Sequence, residues 1–421
     1  MSLPRKVVVI GQGYVGLPVA MRAVDAGYLV VGLDIDDRRV AALNNAVSFV
    51  EDIRDDELAE AISTGRYSAS TDYQSAKDFD IAVISVPTPL RETLPDLTFI
   101  EDAGRSLAAH LSRGATVILE STTYPGTTEE LLIPILEEVS SLKAGKDFHV
   151  GYSPERIDPG NVRWNLKTTP KVVSGIDDAS LAQVKAFFDT IVDETVPVSG
   201  TREAELTKLL ENTFRHVNIA LVNELAVFAN QLGVNVWESI DAAATKPFGF
   251  MKFTPGPGVG GHCLPVDPSY LSWQVRQQLG QSFRFVELAN DVNENMPNYV
   301  VERATSLLNS KKKPMNGSRV LIIGLSYKKD TGDIREAPAL RLAPLLAQRG
   351  ATVVAIDPHV VDHRWPANVK RVALTAAELE AADIAILITD HTEVDFGLLE
   401  ASSTPILDTR NVVVGEHVTQ L

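Results

Sequence analysis

The sequence predicts an α/β protein in which two doubly wound parallel-sheet domains are joined by a helical middle containing one long helix. Three observations predict it: a strand, glycine turn and helix open the chain; similar strands return after residue 318; and a helical period without Gly or Pro runs from Glu203 to Leu232 between them. A chain of 421 residues is more than one core usually serves. The expected divisions are 1–200, 201–310 and 318–421.

Lys6 to Ile10 is a short apolar, β-branched run that leads into Gly11-Gln12-Gly13-Tyr14-Val15-Gly16, and Leu17 to Ala26 then reads as a helix. Gly27 ends that helix, and Tyr28 to Leu33 forms a second strand closing at Asp34. This order of elements is the Rossmann-type dinucleotide fingerprint. Its glycines let backbone amides approach a pyrophosphate at the helix N-terminus, and the carboxylate accepts from a ribose hydroxyl. Asp34 also favours NAD over NADP by repelling a 2′-phosphate, while Arg38 and Arg39 just beyond it leave that preference open.

Further strands are expected at Asp80 to Val86, running into Pro87-Thr88-Pro89, and at Ala115 to Glu120, running into Ser121-Thr122-Thr123-Tyr124-Pro125-Gly126. Ligands of an open parallel sheet sit beyond the carboxyl ends of its strands, which makes Thr88, Thr122 and Thr123 candidate contacts for cofactor or water. Each could equally be a turn or cap residue. Glu155 and Arg156 follow in the bounded loop VGYSPERIDPG, where solvated charges are the simpler reading.

On the long helix, Leu206, Leu210, Phe214, Val217, Leu221, Leu225 and Phe228 recur at three- and four-residue steps. Lys208, Asn212 and Arg215 line up on another face. An amine, an amide and a guanidinium in one row suit a substrate as well as they suit water. A second helix is expected over Ser282 to Leu308, with Lys311 to Gly317 as a linker.

The last third repeats the first. Arg319 to Gly324 echoes Lys6 to Gly11, Gly350 to Asp357 echoes Gly27 to Asp34, and Asp383 to Ile388 echoes Asp80 to Ser85. The full glycine fingerprint is missing here. Tyr327, Lys328 and Arg335 stand where the first unit would cradle a pyrophosphate, and Arg410 follows the last strand, which points to a different anionic ligand.

Between the helices lies Thr254 to Asp267, a Gly/Pro-rich stretch holding Cys263, the only cysteine. A lone cysteine is most often a small buried apolar side chain. The Gly-Gly-His-Cys context favours a reactive one, because the glycines clear an approach to the sulfur and His262, protonated, would favour the thiolate. One cysteine cannot form an intramolecular disulfide, and this fits a reducing, cytoplasmic setting. A net charge of −16 argues against nucleic acid or an anionic membrane surface as the main partner. The run at the N-terminus reads as a strand rather than a signal peptide, and no apolar segment is long enough to span a bilayer. No metal site is expected, since the histidines are scattered.

Taken in order, GQGYVG, SVPTP, ESTTYPGTT, SPER, ELTKLLENTFR, GGHCLPVDP and YKKDTGDIRE resemble the UDP-glucose/GDP-mannose dehydrogenase family over nearly the whole chain. The resemblance implies an NAD-binding N-terminal unit, a C-terminal unit for the nucleotide diphosphate of the substrate, and a homodimer through the central helix. It implies oxidation of a sugar C6 alcohol to a carboxylate in two hydride transfers, through a thioester. Family roles fall on Cys263 as nucleophile, Lys208 as the amine near the reacting oxygen with Asn212 beside it, Glu155 as acid/base, and Thr123 with Asp267 as positioners of water. Gly11, Gly13, Tyr14, Val15, Gly16, Asp34, Arg39, Thr88, Thr122 and Arg335 fall on the cofactor side. Arg156, Arg215, His216, Phe250, Gly260, Tyr327, Lys328 and Arg410 fall on the substrate side. The GGHCLPVDP form and Thr213-Phe-Arg-His-Val-Asn-Ile219 look like the branch acting on UDP-N-acetylhexosamines, with UDP-glucose or dTDP-glucose as the alternative. A non-catalytic sensor of NAD and sugar nucleotides would not need the nucleophile.

Overall fold

Two runs of β-branched and apolar residues, spaced as the sequence predicts, build two six-stranded parallel sheets. The computed structural model describes residues 5–50, 52–91, 94–157, 161, 163–261 and 263–421, without the side chains of Cys263 and Pro265. The chain packs as two units, Met1–Glu211 and Asn212–Leu421.

In the first unit the spatial order of strands is Tyr67–Ser70, Leu29–Leu33, Lys6–Ile10, Ile81–Ile84, Thr116–Leu119 and His149–Tyr152. Numbered along the chain this is 3-2-1-4-5-6, the order of a dinucleotide-binding sheet. Val7, Val8 and Val9 are all fully buried, so both faces of the central strand are covered. Ile10 pairs with Leu33 on one side and Ile84 on the other, and this register brings Gly11, Asp34 and Ser85 to one edge. The observed strands are shorter than expected at their ends, where the polar residues Asp80, Ser85 and Glu120 already belong to loops. A small parallel ladder of Lys171–Val173 with Thr195–Pro197, bridged by the helix Asp178–Phe188, was not anticipated.

The second unit repeats the architecture. Its sheet runs Lys370–Arg371, Thr352–Ile356, Arg319–Ile323, Ile384–Leu387, Ile406–Asp408 and Val418–Gln420, again 3-2-1-4-5-6. The helix Arg284–Ser310 belongs to the same core, with Met296, Val300, Ala304 and Leu308 buried among Ala339, Leu342 and Leu346 of the helix Pro338–Gln348.

The long helix spans Thr201–Leu232 and stops at Gly233, whose φ of +69° suits glycine at a helix end. Its regular stripe does not fill a core. Leu206, Leu210, Phe214, Leu221, Leu225 and Phe228 are 43–63% exposed, whereas the buried apolar positions are Leu209, Val222 and the small Ala204, Ala220 and Ala226. A further helix, Cys263–Leu279, begins inside the stretch whose Gly and Pro content reads as loop. No helix is long and apolar enough to cross a membrane among the described residues.

Candidate active site

The glycine turn of the first unit divides its labour. Gly11 has φ +91°, and a Cβ there would lie 2.5 Å from the Ser85 carbonyl oxygen; one on Gly16 would lie 1.8 Å from that of Gly11. Those two glycines are required by packing. A Cβ on Gly13 would meet nothing within 4 Å, so this glycine keeps space open in front of the helix Gly16–Asp25, where an anion is favoured. Tyr14 and Val15 flank that space, half-buried. Asp34 accepts from the Gln12 amide at 2.9 Å and the Asp36 amide at 3.0 Å, and Arg39 reaches its Oδ2 at 2.8 Å while its guanidinium lies over Phe49. The open space and the carboxylate fit the pyrophosphate and ribose of NAD.

Beyond the strand Ile81–Ile84, Thr88 is buried; beyond Thr116–Leu119, Thr123 is buried and Thr122 half-buried. The Thr123 hydroxyl oxygen is fully buried without a hydrogen-bond partner among the described residues, which leaves it open to a water or ligand oxygen. Close by in the same unit is a buried cluster that the sequence reading saw only in part. Lys171 Nζ donates to Glu120 Oε1 and, at 2.9 Å, to Glu155 Oε2. Glu155 Oε1 accepts from the amides of Arg156 and Ile157, each at 2.7 Å. Burial opposes the charge on Glu155, but Lys171, the Ile157 amide and the charge of Lys208 outweigh it and hold the carboxyl below its ordinary range. Glu120 has one donor only, and burial pushes it up to about 7, with Lys171 pulling down and the Glu155 charge adding to the rise. Arg156 is spent within the unit, on Glu211 through Nε and Nη2 and on the Pro170 carbonyl through Nη1, so it fastens the loop that carries Glu155. Lys208, one turn before Asn212, is buried.

Glu205, also on the long helix, accepts from the Gly126 amide at 2.6 Å and from the amide and hydroxyl of Thr128, tying down the loop that carries Thr122 and Thr123. Burial pushes its carboxyl up to about 7 against these donors. Glu120 and Glu205 therefore both hold a proton more tightly folded than unfolded. Their contribution to stability is complete below about pH 4.5, the ordinary glutamate value, and is lost as pH rises through about 7. The melting temperature is expected to fall between about pH 5 and pH 7 by linkage to these two groups. A scanning-calorimetry series in which it rises over that window would contradict the assignment.

In the second unit Asn212 donates to Asp267 Oδ2 at 2.6 Å, both side chains being buried. Asp267 lies one turn after Cys263 on the helix Cys263–Leu279. His262 and the Cys263 side chain lie outside the described residues. The glycines before them are required by packing: a Cβ on Gly260 or Gly261 would come within 3 Å of the Tyr327 side chain, and the Gly261 amide donates to the Arg335 carbonyl at 2.8 Å. Gly256 similarly lies against Arg410, where an added Cβ would be 3.3 Å from Nη1. The loop before Cys263 is thus seated on Tyr327 and Arg410, two of the residues expected to hold the substrate. Arg335 also pairs with Asp333 through Nε and Nη2. Lys328 is half-buried, and its carbonyl accepts from the Ser326 hydroxyl.

His216 is buried with Nε2 2.7 Å from Asn290 Oδ1 and Nδ1 3.3 Å from Asn293 Nδ2, an arrangement that suits a neutral ring donating through Nε2; burial lowers its pKa. It lines a cavity with Gly258, Val259, Pro297 and Arg341. Arg215 and Phe250 are exposed. Asp330, His359 and His391 also come together, but their chemistry does not suit a metal. His391 Nδ1 accepts from the Asp330 amide and Nε2 faces Asp357 Oδ2 at 3.0 Å, so neither nitrogen is left for an ion.

Three domain profiles of the UDP-glucose/GDP-mannose dehydrogenase family match the chain: the NAD binding domain over residues 5–192, the central domain over 202–295 and the UDP binding domain over 321–415. The chain is 35% identical over 389 residues to a UDP-N-acetyl-D-mannosamine dehydrogenase of Pyrococcus horikoshii, covering 92% of this chain and 90% of that one. It is 37% identical over 357 residues to a UDP-N-acetyl-D-glucosamine 6-dehydrogenase of Pseudomonas aeruginosa, covering 84% and 83%. Among solved structures, a UDP-D-ManNAc dehydrogenase from Pyrococcus horikoshii superposes with a TM-score of 0.88 at 32% identity, over 99% of this chain and 98% of that one.

Proposed function

The chain belongs to the UDP-glucose/GDP-mannose dehydrogenase family and is an NAD-dependent nucleotide-sugar dehydrogenase, and on that premise we propose that it oxidises the C6 alcohol of a UDP-N-acetylhexosamine to the uronate through a thioester on Cys263. The observation that carries this reading is the helix begun by Cys263, with Asp267 one turn on and hydrogen-bonded to Asn212. Relatives that act on UDP-N-acetylmannosamine and UDP-N-acetylglucosamine support the sugar class.

NAD supplies the hydride acceptor for each of two oxidations. Gly11, Gly13, Gly16 and Asp34 would hold it, with Tyr14, Val15, Arg39, Thr88 and Thr122 around it. In the first oxidation the C6 alcohol loses a proton and a hydride and becomes an aldehyde. The Cys263 thiolate adds to that carbon, giving a thiohemiacetal, whose own loss of a proton and a hydride leaves a thioester. Lys208 and Asn212 stabilise negative charge on the C6 oxygen, a contribution of about 3 kcal/mol for one such donor. Water held by Thr123 and Asp267 then attacks the thioester, Glu155 takes its proton, and the thiolate leaves. Acid/base catalysis of that kind contributes about 10²–10⁴-fold. Tyr327, Lys328 and Arg410 hold the nucleotide diphosphate.

The test is NADH formed per sugar consumed at completion, with UDP-N-acetylmannosamine, UDP-N-acetylglucosamine, UDP-glucose and dTDP-glucose in separate samples. Two NADH per N-acetylhexosamine are expected. One per sugar would replace the thioester route with a simple alcohol oxidation, and faster turnover of a glucose nucleotide would overturn the sugar class.

The exposed stripe Leu206, Leu210, Phe214, Leu221, Leu225 and Phe228 supports a homodimer formed through the long helix, because six large apolar side chains on one helix face are seldom left in water. Sedimentation equilibrium is expected to give about twice the 45.7 kDa chain mass, and Leu210→Glu to lower it. A wild-type protein sedimenting at the single-chain mass would exclude this.

A further inference from the structure

The cluster Glu120–Lys171–Glu155 holds a group for which the reaction above has no task. Glu120 follows the strand Thr116–Leu119, Lys171 opens the strand Lys171–Val173, and Glu155 sits in the loop after His149–Tyr152. Their side chains are 0%, 3% and 9% exposed. Two carboxylates share one ammonium, so when both are ionised the cluster carries a net charge of −1 in a place shielded from water. Lys171 bridges them, and its other surface lies 5.2 Å over the Phe188 ring. Glu120 Oε2 has no hydrogen-bond partner among the described residues, and the carboxylate is held through Oε1 by Lys171.

Lys208 on the long helix also bears on the cluster, through its charge on Glu155. The helix Asp178–Phe188 places the uncharged Phe188 ring against Lys171. The electrostatics of Glu155 thus depend on two lysines and on one buried acid that can change its charge.

A base acts best when its basicity is matched to the working pH. Glu155, held by two amides and Lys171, is a weak base as long as the ammonium belongs to it alone. We propose that Glu120 is a positioning residue that tunes Glu155 through Lys171: when Glu120 is ionised it draws the ammonium toward itself and leaves Glu155 the stronger base for thioester hydrolysis. When Glu120 is protonated, Lys171 is given wholly to Glu155. Burial pushes Glu120 up to about 7, which places this change of state near neutral pH. The inference rests on the reading of Glu155 as the base of the hydrolytic step.

The experiment follows acid release in quenched single turnovers between about pH 6 and pH 8.5, with UDP-N-acetylmannosamine or UDP-N-acetylglucosamine, whichever turns over. Wild-type hydrolysis is expected to rise about threefold through neutrality, and Glu120→Gln to flatten the rise to below about 1.5-fold, near the acid-limb rate. Glu120→Asp keeps a titrating carboxylate one methylene further from Lys171, and is expected to keep a rise with a displaced midpoint. This second variant also serves if Glu120→Gln does not fold. A wild-type rise with an unchanged midpoint in either variant would overturn the tuning. Glu155→Gln separates the two ideas. If it hydrolyses the thioester at the wild-type rate, the base is misassigned and the tuning falls with it; if it is slow while Glu120→Gln keeps the wild-type profile, only the tuning falls.

Discussion

Cys263→Ala is expected to cut formation of the sugar acid by at least about 10³-fold, because without the sulfur there is no thiohemiacetal to oxidise and no thioester to hydrolyse. The first oxidation does not need the sulfur, so the variant should still make a trace of NADH with the alcohol and bind the sugar nucleotide. Cys263→Ser should be nearly as inactive, since an unactivated hydroxyl adds poorly to the aldehyde and its ester acylates water more slowly. The direct check is the mass of acid-quenched protein during turnover. Wild type should carry a uronyl-nucleotide adduct and Cys263→Ala none. Acid formation by Cys263→Ala near the wild-type rate would remove the covalent route altogether.

The largest expected loss of stability comes from Lys171→Met. Removing the ammonium leaves Glu120 and Glu155 facing each other in a buried space, with the charge of Lys208 still acting on Glu155. Breaking a buried ion pair from one side costs on the order of 3–5 kcal/mol, because the partner's charge stays desolvated. The cost should be larger at pH 8 than at pH 6, where Glu120 can take up a proton and relieve the repulsion. Urea unfolding of the variant at the two pH values measures this. Equal loss at both would mean that Glu120 does not change its charge in that range.

Much of the fold was legible because its signals are local. A β-branched run, a glycine turn and an acid at the next strand end specify one unit, and their partial echo at Arg319, Gly350 and Asp383 specifies the second. The long helix Thr201–Leu232 was legible as a helix for the same reason, having no Gly or Pro inside it. What its period could not tell is whether an apolar stripe faces a core or a partner, since both demand the same spacing. The helix Cys263–Leu279 was hidden because Pro265 and Pro268 and the preceding glycines resemble a loop, although a helix tolerates proline near its start. Glu120 and Lys171 were hidden for a different reason. They are 51 positions apart, and each alone reads as a polar residue at the end of a strand. Long-range bonds from the Ser174 amide to the Tyr152 carbonyl and from the Ser153 hydroxyl to the Val172 carbonyl seat the strand Lys171–Val173 beside the main sheet, where its lysine meets that glutamate.

Asp357 occupies in the second sheet the place of Asp34 in the first, at the end of the second strand. It accepts from the amides of Leu325, Ser326, His359 and Val360 and faces the His391 imidazole. A carboxylate has about four lone-pair directions, so Asp357 is saturated by its own fold. No sugar hydroxyl can be recruited there. The two halves of the molecule are therefore alike in topology but not in what they offer a ribose: on the proposed reading of Asp34 as the anchor, the matching carboxylate of the second half is already engaged. Transplanting the glycine turn into the second half would not convert it, because the anchor it needs is already built into the masonry of the sheet.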